Sequence, residues 1–217
     1  ILRRSTARRK RQESPQKVFY EIFEGIRELW RHQATRWIMG LLGLLMVGVG
    51  ASLVVGTVLV QQSLGSVTKD LGFLSLALGW GMLTGTLAYG RWATRWPRRL
   101  VLGVAFLGCG VALILFVVAL VRFQSGLASA LATAFLGFFV TPAGIVTNTL
   151  IHEAHPERFQ GRIFSSLGMV VNASLILSML GGGWLAEQWG GGWLLGMVGG
   201  SFALAGMALL YYTRRQH

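Results

Sequence analysis

Residues 37–60 read WIMGLLGLLMVGVGASLVVGTVLV and contain no charged side chain and no histidine. At about 1.5 Å per residue, a helix of this length spans the roughly 30 Å hydrocarbon core of a bilayer. Unpaired backbone groups are too costly in hydrocarbon, so a continuous apolar run crosses it as a helix. Similar runs occupy 71–89, 100–121, 126–151, 163–186 and 193–212. The sequence therefore predicts an all-α membrane protein with a bundle of six transmembrane helices over residues 36–213.

The overall composition favours the same class of protein. The chain has 217 residues, of which 53% are hydrophobic and 13% are charged. Soluble domains carry about 25% charged residues. A soluble protein with buried core helices is the alternative, but six such helices would leave almost no polar shell. We therefore expect the lipid bilayer to be the main partner of this chain.

The net charge of +12 could indicate nucleic-acid binding, but the positive residues are sorted by position. Cytoplasmic loops of membrane proteins retain Lys and Arg. Only Lys69 and Arg122 lie in the gaps after the first and third runs. The other Lys and Arg residues lie in the terminal segments and in the alternate gaps, which contain Arg91, Arg95, Arg98, Arg99, Arg158 and Arg162. This pattern predicts an inner (plasma) membrane protein with both termini cytoplasmic and no nucleic-acid partner.

The chain ends differ in character from the apolar bundle. Residues 1–14 are basic and polar, which predicts a cytoplasmic linker, and residues 214–217 form a short cytoplasmic tail. Residues 15–35 carry apolar side chains at helical spacing, which predicts an amphipathic helix on the inner membrane surface. A helix that binds a soluble partner is the alternative. The chain begins with Ile1, which we interpret as the start of a fragment.

The alternating direction of six spans makes the first three opposite in topology to the last three. Such an inverted repeat of three plus three helices is the layout of one half of many secondary transporters. Pro142 and Gly144 lie inside the fourth run, and a proline removes one backbone hydrogen bond. The sequence therefore predicts a helix kink at this position.

A few uncharged polar residues are the strongest candidates for a site inside the membrane. Asn148 lies in the fourth run, Asn172 lies in the fifth, Thr141 precedes the proline, and Gln61 closes the first run. An amide in hydrocarbon needs hydrogen-bond partners. Two interpretations remain open, because these groups could join neighbouring helices or could line a substrate path.

The sequence contains no recognisable catalytic or metal-binding motif. None of the six runs contains a carboxylate, so the sequence predicts no buried proton relay of its own. His152 and His155 are three residues apart, whereas zinc helices of the HExxH type place the two imidazoles four apart. No phosphate-binding Gly-Lys-Ser/Thr loop and no nucleophile elbow occurs. We expect no catalytic residue, no metal, no cofactor and no enzyme activity.

Four segments together resemble the C-terminal half of a major facilitator superfamily transporter, closest to the bacterial macrolide-efflux and siderophore-exporter branch. They are Phe23–His32 before the first span, Gly85–Arg91 with Arg95, Arg98 and Arg99 after the second, Pro156–Ser165 between the fourth and fifth, and Gly181–Glu187 at the end of the fifth. The resemblance covers roughly residues 15–213. Gly161 and Arg162 form one of its more specific pairs.

The resemblance implies secondary active transport by alternating access, with efflux of a small amphipathic molecule. It implies a missing N-terminal half of six spans, a substrate cavity between the halves, and protons as one candidate for the coupling ion. The loop residues Arg91, Arg95, Arg98, Arg99, Arg158, Gly161 and Arg162 would then act in gating or in fixing topology. The alternative is a multi-pass membrane scaffold or assembly factor without transport activity.

Overall fold

The computed structural model describes residues 33–64, 67–92, 95–154 and 160–214. These residues form six long helices joined by short connections: α1 Gln33–Leu64, α2 Val67–Trp92, α3 Arg98–Val118, α4 Gly126–Ala154, α5 Gln160–Trp189 and α6 Gly191–Arg214. A π-helical turn, Ala119–Phe123, extends α3. The predicted linker, most of the predicted amphipathic helix, and Arg158 lie outside the described residues.

The helices extend beyond the apolar runs, so the predicted connecting segments were too long. The gap 61–70 between the first two apolar runs is helical up to Leu64 and again from Val67, and only Gly190 separates α5 from α6. Gly190 has φ +85°, a left-handed conformation that favours glycine. An apolar run marks only the part of a helix that suits hydrocarbon, whereas backbone hydrogen bonding continues into the polar interface. For this reason the sequence located the spans better than their ends.

Each of the six helices is long and apolar enough to cross a membrane. The chain is a multi-pass membrane protein, and contacts along the helices show their relative directions. α3 and α6 run antiparallel, because Gly103 lies near Leu210 and Gly110 lies near Gly199. One end of the bundle carries Arg91, Arg95, Arg98 and Arg99 and is called here the arginine-rich end. The opposite end carries Lys69 and Arg122.

The bundle has two layers that follow from which helices pack together. The front layer has the order α5, α1, α4, α2, since α1 packs extensively on α5, α4 packs extensively on α2, and α1 also touches α4. The back layer is the closely packed pair α3 and α6, with α3 behind α4 and α6 behind α1. Exchanging α1–α3 with α4–α6 maps these pairs onto one another. This is the inverted repeat that the sequence predicted.

Glycines let the backbones of the back layer meet. Gly103 faces Gly206 and Gly110 faces Gly199, so the seven-residue spacing on α3 matches the seven-residue spacing on α6. Lipid gives helices no hydrophobic drive to associate, so close backbone approach and van der Waals packing must hold them together. Beside this contact, the rings of Phe106 and Phe202 meet edge to face at 5.6 Å between centroids. The back layer is therefore held by backbone contact together with buried aromatic packing.

A second close approach joins the two front helices α2 and α4. Gly81 packs on the backbone of Ala134, and Gly85 packs on the carbonyl group of Phe138. Pro142 has no N–H, so the Phe138 carbonyl cannot receive the usual bond from four residues ahead. The same carbonyl is the group that Gly85 approaches. α4 continues through Pro142 as one helix, and the kink predicted at Pro142 and Gly144 stays a prediction.

Candidate substrate-facing surface

The packing of the front layer decides which sides of α4 and α5 are exposed. α4 has α1 and α2 at its sides and α3 behind it, whereas α5 packs mainly on α1. α5 consequently leaves large apolar side chains uncovered, including Leu177 at 69% exposed, Leu180 at 70% and Trp184 at 62%. A side chain that is exposed on α4 faces either the front of the bundle or the gap between α2 and α3. Position 148 lies about 180° around α4 from Phe139 and about 120° from Pro142, which both line that gap, so it faces the front.

Asn148 is exposed on α4, six residues before the end of that helix. Its two threonine neighbours behave differently. Thr147 is fully buried and donates its hydroxyl to the Ala143 carbonyl at 2.7 Å, and Thr149 donates to the Ile145 carbonyl at 2.8 Å. The threonines are therefore satisfied by their own helix, and the amide of Asn148 lies on the front surface. This position does not support a role as a link between packed helices.

Asn172 is also exposed, and its Nδ2 donates to the carbonyl of Gly168 on the same helix at 2.9 Å. It lies about 60° around α5 from Leu175, whose carbonyl meets α1. It lies about 140° from Leu185, which packs in a cluster that includes residues of both α1 and α6. The amide thus borders α1 and points away from the back layer, and its amide nitrogen bonds within α5.

The two asparagines lie at a similar depth on either side of α1. Val146, one turn or less from Asn148, packs in the cluster that contains Leu45. Val171, next to Asn172, packs against Leu42. Neighbouring helix axes lie about 8–10 Å apart, so the two amides flank α1 at roughly 16–20 Å from each other. A drug-sized molecule could span that interval.

Small residues lie between these two amides. A side chain at Gly40 or Gly43 of α1 would meet nothing within 4 Å, and the same holds for Gly144, one turn from Asn148. These glycines differ from Gly48 and Gly50 of α1, which pack tightly on α6 and α5. The front surface between the amides is therefore shallow and open, with exposed backbone. Sequence reasoning missed this distinction, because spacing alone does not separate packed glycines from open ones.

Thr141 and Gln61 are separated from the asparagines along the bundle. Thr141 is half-buried, donates its hydroxyl to the Gly137 carbonyl at 3.1 Å, and lies about 10 Å from Asn148 along α4. Gln61 is exposed near the end of α1, about 27 Å along that helix from Gly43, at the end that also carries Lys69. The four predicted residues therefore do not form one cluster.

The arginine-rich end carries the predicted loop residues that the structure describes. Arg91, Arg95, Arg98 and Arg99 are all exposed. Gly161 and Arg162 fall in the first turn of α5, whose side chains there lie outside the description, as does Arg158. Exposed arginine side chains suit contact with water, lipid phosphate or a carboxylate. Arg95 lies in the short segment 95–97, whereas Arg91 lies in the last turn of α2, and Arg98 and Arg99 begin α3.

An inverted repeat of six apolar helices with an open front layer is the architecture of one half of a secondary transporter. Residues 38–217 match the Major Facilitator Superfamily, and the chain belongs to this family of membrane transporters. Puromycin resistance protein pur8 of Streptomyces alboniger is 33% identical over 184 residues, which cover 80% of this chain and 36% of pur8. The chain thus spans about a third of the length of this relative. No solved structure matches the chain.

Proposed function

We propose that this chain is the C-terminal half of a transporter that exports a small amphipathic molecule by alternating access. The observation that carries the proposal is the pair of exposed amides, Asn148 and Asn172, on the front layer at similar depth. In a transporter of two six-helix halves, the substrate binds near the midplane between the halves. The front layer is the surface that a second half would cover.

The relative supports export, and the charge pattern supports the orientation of the chain in the membrane. The similar protein is named for puromycin resistance, and puromycin is an amphipathic amine, so a cationic amphipathic substrate is the first class to test. The resemblance to macrolide and siderophore exporters remains a prediction within the same class of activity. The arginine-rich end would face the cytoplasm, and both termini would then lie on the cytoplasmic side of the inner membrane.

The described residues favour transport over a passive scaffold. A scaffold would use its intramembrane amides as links between packed helices, whereas Asn148 and Asn172 are exposed. The apolar runs of this half carry no carboxylate, and Asp70 and Glu187 lie only near helix ends. A proton relay in the middle of the membrane, if protons are the coupling ion, would therefore have to come from the other half. The amides then contribute hydrogen bonds to the substrate, and the open glycines of α1 let it approach the backbone.

An efflux assay on the full-length protein, which contains both six-helix halves, tests the proposal. A puromycin-sensitive bacterial host would express wild type, Asn148→Leu or Asn172→Leu, and efflux of preloaded puromycin would be measured. We expect wild type to export the drug and both variants to lose most of that export while reaching the membrane in equal amount. Leu204→Ala, at an exposed position of the back-layer helix α6, is the matched control and should export normally.

Two outcomes would contradict the proposal. Full export by the Asn148→Leu, Asn172→Leu double variant would remove the amides from the substrate path. Transport by the 217-residue chain alone, purified into liposomes, would show that no second half is needed. An absence of puromycin export by wild type would be followed by the same assay with a macrolide, because the class of substrate and the role of the amides are separate claims.

A further inference from the structure

A cleft opens between α2 and α3 on the side of the bundle, away from the front layer. It has a volume of about 180 Å³ and is lined almost entirely by carbon. α2 and α3 form its walls and α4 forms its floor, with contributions from Ala88, Tyr89, Val101, Val104, Phe139 and Pro142. α2 and α3 hardly touch each other, although they are consecutive in the chain. The cleft exists because both helices pack on α4 instead of on one another.

Three arginines lie next to Trp96, at one end of this cleft. Trp96 lines the cleft and is 57% exposed, and it lies between Arg95 and the helix start at Arg98 and Arg99. All three arginines are exposed, and the N-terminus of α3 adds the positive end of its helix dipole. An indole at this depth suits the boundary between acyl chains and headgroups. A ligand with a long apolar tail and an anionic head would match both the apolar cleft and the arginines beside it.

We propose that the α2–α3 cleft is a binding site for an anionic phospholipid. The part of one acyl chain nearest the headgroup occupies the cleft between Ala88 and Val104, and the phosphate lies against the arginines that flank Trp96. The occupant is a bilayer lipid because the cleft opens to the side of the bundle, where the membrane lies, whereas the second half would cover the front. The site is separate from the amide-flanked surface proposed for substrate.

Lipid binding has a structural consequence at the arginine-rich end. The cleft floor includes Phe138 and Pro142, and Gly85 of α2 packs on the Phe138 carbonyl directly beside it. A bound acyl chain would fill the gap where α2 and α3 lack mutual contacts. An anionic lipid at this position would therefore support the pairing of α2 with α4, in addition to neutralising part of the positive charge of the loop.

Titration of lipid onto the intact, detergent-purified protein, read by native mass spectrometry, tests the proposal. Phosphatidylglycerol and phosphatidylcholine with identical acyl chains are the two probes. We expect phosphatidylglycerol to bind at least about tenfold more tightly, and each of Arg95→Gln and Arg98→Gln to weaken it about fivefold, since a Lys or Arg near an anionic lipid contributes about that factor. Arg122→Gln, at the opposite end of the bundle, should change nothing.

A second set of variants tests the cleft itself. Ala88→Trp and Val104→Trp each fill the cleft from a different wall and should weaken phosphatidylglycerol binding about tenfold. Leu87→Trp is the matched control, because Leu87 is 72% exposed and does not line the cleft. Inorganic phosphate at millimolar concentration should not displace the lipid. Equal binding of the two lipids by wild type, displacement by phosphate, or an equal loss in Leu87→Trp would overturn the proposal.

Discussion

Gly110 of α3 lies against Gly199 of α6, and a Cβ at position 110 would stand 2.5 Å from the Gly199 carbonyl oxygen. In the reverse direction, a Cβ at position 199 would stand 3.0 Å from the carbonyl oxygen of Gly110. The contact lies near the middle of the α3–α6 pair, and Gly103 and Gly206 repeat it two turns away. The back layer therefore depends on backbone contact that a side chain would prevent.

The first prediction concerns this contact. Gly110→Val should destabilise the intact protein by about 1–3 kcal/mol or more, because overpacking forces backbones apart and the opposing atoms are main chain. The midpoint of thermal unfolding in detergent measures the effect. Gly196→Val on α6 is the matched control, since a Cβ there meets nothing within 4 Å. Equal midpoints for the two variants would show that the close approach does not contribute to stability.

The second prediction separates open glycines from packed ones on a single helix. Gly50→Leu should prevent folding, because its Cβ would collide with Ser178 and would stand 2.8 Å from the Leu175 carbonyl. Gly43→Leu should leave the yield of folded protein unchanged, because a Cβ there meets nothing within 4 Å, yet it should reduce puromycin export by obstructing the surface between the two amides. Normal export by a well-folded Gly43→Leu protein would place the substrate path elsewhere.

The third prediction addresses the buried hydroxyl of Thr147. Thr147→Val should cost less than about 1 kcal/mol, because the Ala143 carbonyl keeps its helical hydrogen bond and valine has nearly the same shape. Phe106→Ala in the same core should cost about 3–5 kcal/mol, since it removes a fully buried ring and leaves a cavity. The two unfolding midpoints provide the comparison. A larger loss for Thr147→Val than for Phe106→Ala would mean that the hydroxyl serves another group.

The fourth prediction tests the orientation in the membrane. Trp96→Cys at the arginine-rich end and Gln124→Cys at the opposite end both place a thiol at an exposed position. A membrane-impermeant maleimide added to whole cells should label the cysteine at position 124, and should label the one at position 96 only after permeabilisation. The native Cys109 is buried and serves as the internal control that stays unlabelled. Labelling of position 96 in intact cells would reverse the proposed topology.

The sequence predicted the six spans and the inverted repeat because both depend on properties that are local or additive. Hydropathy over 20 or so residues decides whether a helix crosses lipid, and short connections between successive spans fix the alternation of direction. The helix ends were less predictable. Glu187, for example, is helical although it lies beyond the apolar run 163–186, because helix hydrogen bonding continues into the polar interface.

The candidate site was only partly accessible from the sequence. The amides of Asn148 and Asn172 stood out as rare polar groups in apolar runs, but the sequence left open whether they joined helices or faced a cavity. The structure shows both to be exposed. The cleft near Trp96 could not be predicted, because it arises from the failure of two consecutive helices to pack on each other.

The sequence alone determined that this protein is embedded in a lipid bilayer, since six uncharged apolar segments of membrane-spanning length could not all be buried in a water-soluble fold. Only the tertiary structure decided which helix surfaces are buried against neighbouring helices and which remain exposed. Gly43 and Gly50 have the same chemistry and lie on the same helix, yet one is open and the other touches α5. That difference depends on the direction from which α5 approaches α1, and such long-range geometry is not encoded by the spacing of residues along one helix.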